Sequence, residues 1–109
     1  MNTKTIKEFM PLGSVVTLLG GTKKIMICGR IQEDKGTDTV YDYSACYYPE
    51  GILDPNGLFL FQHEDIDKVY YVGLQDSDEH AFRGFVEQRL SEMGLLEDVR
   101  VSEKDSIVN

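Results

Sequence analysis

The sequence predicts an α+β fold: a curled antiparallel sheet of about five strands, partly closed in the manner of a barrel, with one C-terminal helix packed on it. Three observations lead there. Five short runs rich in β-branched and aromatic residues follow one another between residues 14 and 72, and turn-forming residues separate most of them. Close spacing of this kind reads as an antiparallel meander. After the fifth run the period changes once, from strand-like to helical, between Asp76 and Met93. At 109 residues the chain can bury roughly two-thirds of its unfolded surface without staples. The expected organisation is one domain over residues 1–94, with a flexible N-terminus of about nine residues, and a charged, mobile tail over 95–109.

Each element has its own local reason. Pro11-Leu12-Gly13 leads into a β-branched run, Ser14–Leu19, and Gly20-Gly21-Thr22-Lys23 forms a hairpin turn, since glycine adopts positive φ at little cost. The return strand, Lys24–Gln32, places Ile25, Ile27 and Ile31 on one face and Met26, Cys28 and Arg30 on the other. Apolar residues on both faces suggest a central strand, and Gly29 within it marks a bulge or a close backbone approach. A polar loop, Glu33–Asp38, leads to Tyr41–Gly51, which holds four of the six tyrosines. Alternation puts Tyr41, Tyr43, Ala45 and Tyr47 on one face and Val40, Asp42, Ser44 and Cys46 on the other. The tyrosine face either packs in the core or meets a partner; buried aromatics are the commoner case. Pro49-Glu50-Gly51 ends that strand. Leu58–Phe61 and Val69–Val72 are the last two strands, with His63–Lys68 between them as one helical turn or a tight connection. Asp76 then caps a helix whose Phe82, Phe85, Val86, Leu90 and Met93 make one apolar stripe, stopped by Gly94.

Charge and cysteine usage narrow the function. The net charge is −8 and lies unevenly: through Tyr48 there are six basic and five acidic residues, and from Pro49 onward five and fourteen. Phosphate backbones demand the opposite sign, so nucleic acid is not an expected partner. Acidity would suit a basic protein, and would also serve solubility alone. Cys28 and Cys46 sit in apolar strand patterns and read as reduced and buried, with a single cross-strand disulfide as the minor alternative. Lys4 and Lys7 precede an apolar run from Phe9 to Leu19, but Pro11, Gly13, Ser14 and Thr17 interrupt it, which argues against a leader. No segment approaches the ~20 apolar residues that span a bilayer. The expected location is the cytoplasm, without membrane insertion.

Catalytic signatures are sparse. His63-Glu64-Asp65-Ile66-Asp67 pairs a histidine with carboxylates, as a general base or a zinc site would. The other histidine is His80, and neither belongs to an H-E-x-x-H or C-x-x-C spacing. The same acids can simply cap a helical turn. Cys46 as a nucleophile would need a histidine delivered by the fold, and its apolar strand argues for inertness. Asp54-Pro55-Asn56-Gly57 lacks the later glutamate of a calcium loop, and Gly20–Lys24 lacks P-loop spacing. No enzyme, metal or cofactor is expected.

Three ordered blocks carry a resemblance. Leu12–Arg30 (L-G-S-V-V-x-L-x-G-G-T-K-K-I-M-I-x-G-R), Tyr41–Gly51 (Y-D-Y-S-A-C-Y-Y-P-E-G) and Phe61–Tyr70 (F-x-H-E-D-I-D-K-V-Y) together resemble a small uncharacterised bacterial family, domain of unknown function four-one-seven-six. The resemblance covers roughly residues 10 to 85. Members are often encoded beside type VII secretion components and Leu-x-Gly toxins of Gram-positive bacteria. It therefore implies an accessory, chaperone-like or adaptor protein whose partner is such a toxin or a secretion component, and it supplies no catalytic residues. The expected contact surface joins Tyr41, Tyr43, Tyr47 and Tyr48 with Glu50, His63, Glu64, Asp65 and Asp67, aromatic anchors with a charged rim. Two rival readings stand: an immunity protein that occludes a toxin domain, and a small metal-binding or enzymatic domain using His63 with Glu64, Asp65 or Cys46. An exposed edge strand would also support a homodimer.

Overall fold

The computed structural model describes residues 9–94, together with the backbone of Lys4–Thr5 and Leu96–Glu97. In chain order the elements are β1 (Lys4–Thr5), β2 (Val15–Leu18), β3 (Ile25–Asp34), β4 (Thr39–Tyr47), β5 (Phe59–Phe61), a 3-10 turn (His63–Asp65), β6 (Ile66–Tyr71), α1 (Ser77–Glu92) and β7 (Leu96–Glu97). The chain divides into two compact units, Phe9–Gln75 and a unit built from the two terminal segments. Sequence pattern had suggested one domain over 1–94. The expected loose N-terminus and mobile tail lie outside the described residues, apart from β1 and β7, which pair in parallel.

The Phe9–Gln75 unit is a five-stranded antiparallel sheet in the order β5-β4-β3-β2-β6. β5 and β6 are neighbours in sequence yet occupy opposite edges. In a flat sheet, strands about 4.8 Å apart would place those edges roughly 19 Å from one another. The link from Phe61 to Ile66 includes the 3-10 turn, whose rise of about 2 Å per residue cannot cover that span. The sheet therefore curls, and Leu19 N donates to Asp65 O at 2.9 Å where the turn meets the end of β2. It stays open rather than closing into a barrel.

Gly29 explains how β3 turns with the curl. The β3–β4 register runs Met26↔Cys46 and Ile27↔Ala45, then shifts so that Gly29 faces Ser44. A Cβ on Gly29 would overlap Ser44 Oγ. Bulge and close approach therefore occur together. The inserted residue inverts the alternation downstream, so Arg30 stands opposite Tyr43. Ile31, expected beside Ile25 and Ile27, is instead only half-buried and takes φ +56°, a region disfavoured for a β-branched residue. The core of the unit is Phe9, Val16, Ile25, Ile27, Tyr43, Ala45 and Phe61. Phe9 meets Tyr43 edge-on at 6.2 Å, and Phe61 lies 5.3 Å away from the same ring.

In the terminal unit, Asp76 accepts the Glu79 N–H at 3.0 Å, and Gly94 follows the helix with φ +74°, both as the pattern predicts. The apolar stripe behaves differently. Leu90 is buried, whereas Phe82, Phe85 and Met93 are exposed, so most of the stripe is not core. Phe82 and Phe85 lie with ring centroids 6.1 Å apart. Asp76→Ala is expected to cost about 1 kcal/mol of helix stability, read as lost helical circular dichroism on warming. An unchanged melting profile would show the cap to be dispensable.

Candidate functional site

Most of the nine residues expected to form a contact surface gather in two groups. The first lies at the 3-10 turn. Tyr43 is 0% exposed, so it is a core residue and not a contact residue, which corrects the expectation. Its hydroxyl accepts from Met10 N at 2.8 Å and lies 2.7 Å from His63 Nδ1. The hydroxyl therefore bridges the Met10 backbone and the His63 ring. His63 N donates to Asp42 Oδ2 at 2.7 Å. Gln62 completes the clamp, since its amide takes Asp42 N and gives to Val40 O, while Gln62 N donates to Asp65 Oδ2. These polar bonds fasten the turn to β4, the strand between β5 and β3. Sequence reading missed Gln62, because a glutamine between a strand and an acidic turn carries no distinguishing pattern.

Tyr47 and Glu50 form the second group, gathered by Lys23. Its ammonium bonds Glu50 at 2.8 and 2.9 Å and lies 5.8 Å from the centre of the Tyr47 ring. That hydrogen bond holds the Glu50 carboxyl below the usual carboxylate range. Tyr47 is half-buried and packs edge-on against Phe59 at 5.1 Å. Tyr41 is also half-buried, and Tyr48, Glu64, Asp65 and Asp67 are exposed. His63 lies against the Tyr43 ring, with Nδ1 at the hydroxyl. Cys46 is buried, and burial, then the neighbouring Cys28, pushes its thiol up from the ordinary value. Among the described residues, no group of three or more His, Cys, Asp or Glu is arranged to hold a metal.

A concave feature lies elsewhere. A groove of about 410 Å³ is lined by Gly13, Val15, Lys24, Met26, Tyr48, Tyr70 and Tyr71. Register builds its floor: Tyr71 faces Val15 and Val15 faces Met26 across β6, β2 and β3, so three apolar side chains share one row. Tyr48 is 42% exposed, Tyr70 51% and Tyr71 62%, and Lys24 sits 4.7 Å over the Tyr70 ring. Of the expected surface only Tyr48 belongs to this groove. The signal for the others was visible in Val69-Tyr70-Tyr71-Val72, but a continuous apolar run reads equally as a buried strand. Edge placement is what exposes it.

The family model described as Domain of unknown function (DUF4176) matches residues 9–82. The chain belongs to this family. No curated protein and no solved structure matches it. The match takes in the whole five-stranded sheet and both polar groups, ending early in α1. Among the described residues, no helix is long and apolar enough to cross a membrane.

Proposed function

We propose that this member of the DUF4176 family is a non-catalytic protein-binding module, acting in the cytoplasm as an accessory or adaptor. The observation that carries the proposal is the groove with three exposed tyrosines beside Met26 and Val15. Tyrosine gives large, rigid contact area with a polar tip, and aromatic anchors in pockets supply most interface energy. The type VII secretion setting implied by the sequence resemblance makes a Leu-x-Gly toxin or a secretion component the candidate partner. Charge adds support for a protein partner over nucleic acid, given the net charge of −8.

The test is capture by the tagged chain from its native host, read by mass spectrometry, comparing wild type with Tyr48→Ala/Tyr71→Ala. Both side chains are exposed, so the variant is expected to fold. Loss of two anchors is expected to weaken a specific partner by at least about thirtyfold. A partner retained equally by the folded variant would overturn the groove assignment. Capture of a toxin's C-terminal domain instead of its export domain would favour the immunity reading.

A further inference from the structure

Resting on the groove as a protein-binding surface, we propose that β6 accepts an extended, basic-flanked apolar segment of the partner as a sixth strand of the sheet. The sheet has two edges, and they differ. β5 is three residues long, and short edges resist pairing. β6 runs six residues, Ile66–Tyr71, and all but the first are exposed. It pairs only with β2 among the described residues, which leaves its outer N–H and C=O groups as a template for one more strand. Charges guard only its beginning, at Asp67 and Lys68. Val69, Tyr70, Tyr71 and Val72 carry neither a charge nor a proline, and each is exposed.

Register and charge choose the occupant. A strand laid along β6 would extend the row Met26, Val15, Tyr71 by one position, so alternate apolar side chains of the newcomer meet Tyr71 at the groove. Glu64, Asp65 and Asp67 stand exposed at the entry to β6. None of the three joins an ion pair among the described residues. Along the segment Glu64–Lys68 three acids outnumber the single cation Lys68, which calls for Lys or Arg at one end of the incoming segment. Main-chain bonds would give affinity, and the groove and acids would give specificity and direction.

The experiment is selection of a displayed random 12-residue peptide library on the full chain, followed by resynthesis of the enriched peptides. The expected sequences alternate apolar residues and end in Lys or Arg. Their binding should slow amide exchange in Val69–Tyr71 and fall at least about tenfold when alternate peptide amides are N-methylated. Val69→Lys, an exposed substitution that installs an edge charge, should reduce binding similarly. Enriched peptides that are acidic, that tolerate N-methylation in either register, or that protect other strands would overturn strand addition, as would no enrichment. Concentration-dependent self-association that protects β6 without peptide would make a second copy the occupant. If the host partner still depends on Tyr48 and Tyr71 while β6 stays unprotected, strand addition fails and the groove reading survives.

Discussion

Replacing Tyr43 by alanine is expected to lower the stability of the Phe9–Gln75 unit by about 4 kcal/mol. The ring is fully buried and touches Phe9, Phe61 and His63, so truncation removes its burial and leaves a cavity. It also strands two polar groups, Met10 N–H and His63 Nδ1, that bond the hydroxyl. Tyr43→Phe separates the two effects, because it keeps the ring and removes only the oxygen, with an expected cost of about 1–2 kcal/mol. Urea denaturation of both variants, and of His63→Ala alone and combined with Tyr43→Phe, reads out the coupling directly. If Tyr43→Phe proved neutral, the hydroxyl would not be fastening the turn. The turn would then be tied to β4 through Gln62 and Asp42.

Gly73→Ala is expected to cost about 3 kcal/mol, by a different route. Gly73 is buried, and a Cβ there would fall on the Leu12 carbonyl, with its oxygen the nearest atom and its carbon 2.9 Å away. Those are backbone atoms, so no side chain can swing aside. The same crossing is held by Gly73 N to Ser14 Oγ at 3.0 Å and Ser14 Oγ to Pro11 O at 2.8 Å, so moving the strands apart breaks a buried relay. For a unit of this size the melting temperature should fall by roughly 4–8 °C per kcal/mol. A fall of only a degree or two would mean that the Leu12 segment yields freely.

Much of the architecture was legible because its signals are local. Gly20-Gly21 in the hairpin turn, Asp76 as cap and Gly94 as stop each act through their own backbone or one near neighbour. Strand positions between residues 14 and 72 followed from runs of β-branched and aromatic residues, and the observed ends agree within a few positions. Errors arose where one residue's meaning depends on another far away. Ile31 left the core face because the bulge at Cys28–Gly29 shifted its phase. Tyr43 and Tyr71 are the same residue type in similar apolar strands, yet the first is fully buried and the second exposed. Nothing near either in sequence distinguishes them.

Strand order draws that distinction. β4 lies between β3 and β5, so Tyr43 has neighbours on both sides. β6 lies at an edge and has a neighbour on one, which leaves Tyr70 and Tyr71 facing solvent over the groove. Composition, charge, turns and caps are short-range properties that a linear pattern carries in full. Which tyrosine anchors the core and which faces solvent is set by non-local pairing. Only the folded sheet decided it.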